Sequence, residues 1–226
     1  MHASPTNRMI FTARQGLVPA AVFLAGLLAF LSCGPAGSGL FEYRGDIGRV
    51  TFPGSVTYNA GEKTYAITAS GENMWGTSDA FYFVWNEVTG DMSLSADIRF
   101  IGEGLHPHRK GGVMIRGGLE PDDPYVDAVV HGDGLISLQY REVKGGETRQ
   151  ITAPDSGQAA VMLENRGDRF TMIWMTPGEP PRIAGSVTVS LPRRKYAGLV
   201  MCSHDSTVTE TAVFSGVNFK ASGAAE

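Results

Sequence analysis

The sequence predicts an all-β protein, a two-sheet jelly-roll sandwich that follows an N-terminal signal segment. Three observations lead to this prediction. Beyond about residue 40 the apolar residues recur with period two, turn residues separate the short apolar segments, and 29 glycines are available to form turns. A hydrophobic content of 42% with 19% charged residues is typical of a globular domain, so it favours neither a disordered nor a membrane-embedded chain.

Eleven segments are predicted to be strands. Along Asp91–Phe100 every second residue is apolar, which predicts a strand with one buried face and one polar face. The other ten segments alternate in the same way or form a short apolar run between turn residues: 64–69, 80–86, 111–116, 125–131, 135–141, 160–164, 170–175, 185–190, 195–201 and 211–219. The absence of an internal repeat argues against a propeller or a solenoid.

Residues 1–33 have the layout of a bacterial lipoprotein signal. Arg8 and Arg14 precede an uncharged stretch over residues 17–32, shorter than the roughly 20 residues that a membrane-spanning helix needs. The stretch ends in a segment that resembles a lipobox, with Cys33 as the lipidated residue. This predicts a lipid anchor in the cell envelope, with the outer membrane as the expected location; an uncleaved N-terminal anchor is the alternative. Residues 34–40 are then a flexible tether, 41–220 the sandwich and 221–226 a frayed tail.

Charge and cysteine content exclude some partners. The formal net charge is −4, and loss of the signal removes two arginines, so the mature chain is more acidic still. Nucleic-acid binding requires clustered Lys and Arg, and the densest basic run is the short turn-like segment Arg193–Lys195, so no nucleic-acid partner is expected. Cys202 is the only cysteine besides the lipobox residue, so no disulfide is expected; its apolar neighbours predict a buried strand position.

The polar face of the central strands carries the functional prediction. Alternate residues of strands 111–116, 125–131 and 135–141 are apolar and predict a core face, so the intervening polar residues point the other way. If these strands and the Asp91–Phe100 strand are neighbours, their polar residues lie on one concave surface. These residues are Asp97, Arg99, Arg116, Asp127, His131, Gln139 and Arg141. Such a surface fits a ligand platform, and it fits cross-strand salt bridges on a solvated face equally well.

Aromatic residues add a candidate for sugar stacking, because the apolar C–H faces of sugars pack on flat rings. Trp75 follows a loop-like segment and is predicted to be that residue. Trp85 and Trp174 lie within apolar runs and are predicted to be core residues.

Histidines and carboxylates supply the candidates for catalysis and metal binding. His131, Asp127 and His204 are the catalytic candidates, although histidines at strand ends, such as these two, are more often structural hydrogen-bonding residues than bases. His106 and His108 have a spacing that suits a metal, but no third ligand is indicated, so a surface loop is favoured and no metal site is assigned. Calcium is possible at loop carboxylates, although their spacing matches no calcium loop; the candidates are Asp79, Asp91, Asp122, Asp123 and Asp133.

Several segments spread over residues 45–219 resemble a known family. They are residues 45–48, 73–75, 79–85, 108–116, 124–134, 137–142 and 203–205. Together they are similar to an uncharacterised bacterial domain of the concanavalin A-like lectin/glucanase superfamily, whose relatives are often secreted and sometimes fused to Tol-type β-propellers. The resemblance implies a two-sheet jelly roll whose concave face commonly meets a glycan. Retaining glucanases of this superfamily carry a Glu-x-Asp-x-x-Glu run, and this sequence has none.

The sequence therefore predicts an envelope lipoprotein whose jelly-roll domain binds carbohydrate on its concave polar face. Two alternatives stay open. One is a glycoside hydrolase or lyase that acts on an extracellular glycan through a charged residue of that face, and the other is a protein–protein interaction domain. A pocket holding a buried histidine or carboxylate with a shifted pKa would favour an enzyme, whereas a flat, solvated face would favour binding.

Overall fold

The computed structural model describes residues 1–2 and 39–222. Most of the predicted signal segment, including the predicted lipidation site Cys33, most of the predicted tether and the last four residues lie outside the described residues. Within the described part of the chain, no helix is long and apolar enough to cross a membrane.

Regular structure in the described residues consists of β-strands. These are β1 (Tyr43–Ile47), β2 (Ser55–Asn59), β3 (Thr64–Ala69), β4 (Asn73–Trp75), β5 (Ser78–Thr89), β6 (Met92–Phe100), β7 (Lys110–Arg116), β8 (Tyr125–His131), β9 (Leu135–Arg141), β10 (Arg149–Ser156), β11 (Ala160–Arg166), β12 (Arg169–Met175), β13 (Arg182–Thr188), β14 (Arg194–Cys202) and β15 (Glu210–Ala221). All eleven predicted strands are present, and the sequence analysis missed β1, β2, β4 and β10.

The strands form two antiparallel sheets. The front sheet has the order β1-β5-β14-β7-β8-β9-β10, and the short strand β4 pairs with β5. The back sheet has the order β13-β12-β11-β6-β15-β3-β2. The chain changes sheets between β5 and β6, so two strands joined by a tight turn belong to different layers.

The main core lies between the two sheets and follows the period-two pattern of the sequence. In β6, Leu94, Ala96 and Ile98 are buried, while Ser95 and Asp97 between them point outward. The apolar face predicted for β7, β8 and β9 supplies the front half of this core, and Trp174 of β12 is fully buried in it. Because burying one large aliphatic or aromatic side chain contributes roughly 1.5–3 kcal/mol, this interface is the main source of stability.

The outer face of the front sheet, which points away from the back sheet, also carries a buried apolar cluster. Its aromatic part includes Tyr43, Phe83 and Trp85, whose rings stack with centroid distances of 6.1 Å and 5.1 Å. Cys202 belongs to this cluster and is fully buried, so the prediction of a buried cysteine is confirmed. The predicted burial of Trp85 and Trp174 is confirmed as well.

Two central strands of the front sheet approach each other closely at Gly198 of β14. A Cβ atom there would overlap the carbonyl oxygen of Val84 and lie 2.7 Å from Trp85 Cα. We expect Gly198→Ala to lower the free energy of unfolding by about 1–3 kcal/mol, because the backbone of β5 must move to relieve the overlap. Urea unfolding measures this, with Gly61→Ala as the matched control, since the nearest atom to a Cβ at Gly61 is 3.4 Å away. Equal midpoints for the two variants would contradict the prediction.

Candidate functional site

A pocket of about 300 Å³ opens on the outer face of the front sheet. Strands β7 to β10 supply its floor, β4 supplies one wall, and two loops complete the rim. The lining residues are Asn73, Trp75, His108, Lys110, His131, Leu135, Gln139, Gln150 and His204. No aspartate or glutamate is among them.

Cross-strand pairing explains why these polar side chains meet. Lys110 of β7 lies opposite His131 of β8, and Gln139 of β9 lies between Asp127 of β8 and Gln150 of β10. Directly opposed residues of an antiparallel pair project to the same side, so the two rows share the outer face.

Lys110 fixes the wall that carries Trp75. Its ammonium group donates to Asn73 Oδ1 at 2.6 Å and to Met74 O and Gln139 Oε1 at 3.4 Å each. The same group lies 5.5 Å from the centroid of the Trp75 ring, within cation–π range. Burial lowers the pKa of Lys110. The lysine therefore clamps β4 onto the front sheet and presents the half-exposed Trp75 ring at the pocket rim.

His131 is the buried imidazole of the pocket. Its Nε2 lies 3.1 Å from Ser137 Oγ and 3.4 Å from the Gln139 side-chain nitrogen. Burial, together with the charges of Lys110 and His108, lowers the pKa of His131 to about 3. The ring is therefore neutral at physiological pH, with one nitrogen that donates a hydrogen bond and one that accepts.

His204 lies on the opposite side of the pocket, in the connection between β14 and β15. Its backbone is left-handed, with φ of 59°, a conformation that histidine tolerates better than most residues. Its ring centroid is 4.1 Å from that of His106. Burial, together with the charges of His106 and Lys110, lowers the pKa of His204 to about 4. This histidine also is neutral at physiological pH.

Asp127 does not line the pocket, contrary to its prediction as a ligand-binding or catalytic residue. It is fully buried beneath the lining, and its Oδ1 accepts a hydrogen bond from the backbone N–H of Gln139 at 3.2 Å. Burial raises the pKa of Asp127 well above its ordinary value, while Lys110 acts in the opposite direction.

Arg116 and Arg141, both predicted to bind ligand, are fully buried at the other end of the same face. Two nitrogens of Arg141 each donate to a carboxylate oxygen of Asp79 at 2.8 Å, and Arg116 lies 3.6 Å from the same carboxylate. The prediction is wrong because loops cover this end of the sheet, which the alternation pattern cannot reveal.

The two guanidinium groups hold those covering loops in place. Arg116 donates to the carbonyl oxygens of Gly118 and Glu120 in the β7–β8 loop. Arg141 reaches three different connections, because it donates to carbonyl oxygens of the β4–β5 turn, the β7–β8 loop and the β9–β10 loop. These acceptors are Gly76 O, Pro121 O, Asp123 O and Gly146 O.

The prediction that Asp97 binds ligand is also wrong. It lies on β6 of the back sheet, paired with Ala160 and Ser215, so it is separated from the pocket by the whole core. Arg99 is on the same strand. The alternation of this segment was predicted correctly, but its sheet was not, because the chain crosses to the other layer just before β6.

Three of the loop aspartates considered as calcium ligands have cationic side chains as partners. Asp79 is paired with the two buried arginines, and both Asp122 and Asp123 contact Lys144 at 2.8 Å and 2.9 Å. In the described ranges, the only group of three histidine, cysteine or acidic residues close enough to share a metal consists of His108, His131 and Asp133.

The chain is similar in structure to several proteins of known structure. A functionally unknown protein from Saccharomyces cerevisiae superposes with a TM-score of 0.58 at 14% identity over 74% of this chain and 92% of that one. A carbohydrate-binding module from Bacillus subtilis gives 0.52 at 17% identity over 76% and 94%. An alginate lyase from Corynebacterium sp. gives 0.51 at 11% identity over 79% and 93%.

At such low sequence identities, these structural likenesses establish the fold alone. The predicted all-β, two-sheet jelly-roll sandwich is confirmed. No protein-family model matches the sequence, and no curated protein matches it.

The buried Asp79 carboxylate is expected to be essential for stability. Asp79→Asn leaves two buried guanidinium groups without their counter-ion, so we expect a loss of about 3–5 kcal/mol in the free energy of unfolding. The measurement is urea unfolding followed by tryptophan fluorescence. Asp122→Asn serves as the control, since its partner Lys144 is solvent-exposed and such pairs contribute little. A midpoint for Asp79→Asn equal to that of the control would contradict the structural role of the network.

Proposed function

We propose that the protein recognises a carbohydrate, and that a sugar unit binds in the pocket beside Trp75. The observation that carries the proposal is a half-exposed indole, held by Lys110, at the rim of a pocket lined with side-chain amides. An aromatic face supplies the stacking surface for a sugar ring. Gln139, Gln150 and Asn73 supply donors and acceptors for hydroxyl groups.

The lining of the pocket favours binding over glycoside hydrolysis. Most glycosidases use two carboxyl groups across the scissile bond. The described lining contains none, and the nearby Asp127 is buried under it with one oxygen bonded to the backbone. Neutral amides and imidazoles are suited to holding hydroxyl groups, because they donate and accept without a large desolvation cost.

The structural likenesses support the same class of ligand. A carbohydrate-binding module and an alginate lyase share this fold with the chain at TM-scores above 0.5. A shared fold alone does not transfer a function. Taken with an aromatic, amide-lined pocket on the front sheet, it favours a glycan over a protein partner.

The lipid anchor at Cys33 completes the proposal and rests on the sequence pattern of residues 1–33. Anchoring in the cell envelope would place the pocket where extracellular or periplasmic glycans are available.

A polysaccharide lyase is the second candidate, and the placement of an imidazole, an amide and an ammonium group in one pocket is the observation that favours it. Elimination from a uronic acid requires an unprotonated base to remove a proton next to the carboxylate. It also requires groups that stabilise the charge developing on that carboxylate. His131 offers the base, and the side chain of Gln139 lies 3.4 Å from His131 Nε2 and 3.4 Å from the ammonium group of Lys110, so the three form such a set.

Incubation with alginate and other polyuronates separates the two candidates. The double bond formed by elimination absorbs in the ultraviolet, so a lyase would produce a steady rise in absorbance. We expect no rise in absorbance, because the protein is proposed to bind glycans without cleaving them. A rise that His131→Ala abolishes would replace the binding proposal by the lyase.

Binding itself is tested on a glycan array, followed by titration calorimetry with the glycan that gives the strongest signal. We expect Trp75→Ala to weaken binding by about tenfold or more, because the stacking surface is lost. Phe52→Ala is the matched control, since Phe52 is also an exposed aromatic residue but does not line the pocket. Equal loss in both variants, or no binding to any glycan by the unmodified protein, would contradict the proposal.

A further inference from the structure

Four histidines from three separate segments meet at the mouth of the pocket. The ring centroids of His106 and His108 are 5.6 Å apart, and that of His108 is 5.8 Å from His131 and 5.7 Å from His204. Recognition of a sugar by Trp75 and the amides does not require this concentration of imidazoles.

Three side chains at this place have the ligand atoms of a metal site. His108, His131 and Asp133 each offer one nitrogen or oxygen atom, and these atoms lie within 4.8 Å of one another. His108 Nδ1 and Asp133 Oδ2 are already 3.6 Å apart. Two imidazoles and one carboxylate are a donor set that suits zinc and related first-row transition ions.

The buried member of the set has a ring nitrogen that the protein leaves unbonded. His131 is 4% exposed; its Nε2 contacts Ser137 and Gln139, and its Nδ1 is buried with no partner in the described residues. A buried polar atom without a partner costs about 1–3 kcal/mol. A hydroxyl bonded to the opposite ring nitrogen is the arrangement that orients metal-binding histidines. His204 Nδ1, on the same rim, is also buried and unpartnered.

Backbone hydrogen bonds hold the segments of the ligand group together. The loop before β7 and the β8–β9 turn are joined by Gly132 N–H to Arg109 O at 2.9 Å and Asp133 N–H to Pro107 O at 2.8 Å. The Arg109 side chain is itself fixed by a buried ion pair with Glu210. The two segments are therefore placed before any ligand binds, which lowers the entropic cost of assembling a site.

We propose that His108, His131 and Asp133 bind one divalent first-row transition-metal ion, with Zn²⁺ as the probe. A tetrahedral zinc site with bonds of about 2.0–2.2 Å needs its ligand atoms about 3.3 Å apart. His108 and Asp133 are 48% and 38% exposed, so their side chains are free to rotate toward the fixed His131. The remaining coordination position is left for water or a ligand.

A simple surface contact between His108 and Asp133 explains less. An exposed pair of this kind contributes little to stability. It also leaves unexplained why a third, buried imidazole with an unbonded nitrogen lies beside this pair.

The test is calorimetric titration of the full-length chain, purified without a histidine tag and freed of metal with a chelator, with ZnCl₂ and no glycan. We expect saturable one-to-one binding, and a loss of affinity of about tenfold or more in His108→Ala and in Asp133→Asn. Both residues are on the surface, so these variants should keep the thermal midpoint of the unmodified protein. Co²⁺ titration of the same samples should give the visible absorption of tetrahedral cobalt.

His106→Ala is the matched control, because His106 belongs to the same cluster but its Nδ1 already accepts a hydrogen bond from the backbone N–H of His108. It should keep the affinity of the unmodified protein within about threefold. Equal losses in the His106 and His108 variants would show non-specific imidazole binding, and an absence of saturable binding by the unmodified chain would overturn the site directly. Because no glycan is present, either result leaves the carbohydrate proposal to be decided by its own titration.

Discussion

The buried ion pair between Asp79 and Arg141 is the constraint on which the outer face of the front sheet depends. One guanidinium group, with Arg116 beside it, satisfies a buried carboxylate and at the same time binds carbonyl oxygens from the β4–β5 turn, the β7–β8 loop and the β9–β10 loop. Burial raises the pKa of Asp79, and both guanidinium groups oppose that shift, so the ionised pair depends on their presence. The turn at Gly76 directly follows Trp75. The geometry of the pocket rim is therefore linked to charges at the far end of the sheet.

Whether a strand could be predicted from the sequence depended on its position in the sandwich. Strands with one face against the core and one toward solvent must alternate, so period two alone was enough to predict β3 and β6. The four missed strands are short or lie at sheet edges. The edge strand β2 is half exposed throughout, and β10 contains Pro154, which removes one ladder donor. Their pairing comes from neighbours, and a single sequence carries little trace of that.

The site was predicted in part, for a related reason. Alternation identified which side chains of β7, β8 and β9 share the outer face, and it therefore selected His131 and Gln139 correctly as members of one surface. It could not show that loops bury Arg116 and Arg141, because loop packing is a tertiary property. Lys110 was missed, although it is six residues before Arg116 on β7 and the period-two pattern therefore places both on the same face. Gln150 was out of reach because its strand was not predicted.

The two ends of the outer face differ in how their buried polar groups are satisfied. At the Asp79 end, the carboxylate and both guanidinium groups have hydrogen-bond or ion-pair partners, as expected for a structural element. At the His131 end, Asp127 Oδ2, His131 Nδ1 and His204 Nδ1 are buried without partners in the described residues. Unpaired polar atoms lower stability, so folding alone gives no reason to place three of them together. A bound ligand that supplies partners to the two imidazoles would lower that cost, and this difference between the two ends supports the proposal that the ligand binds at the pocket end.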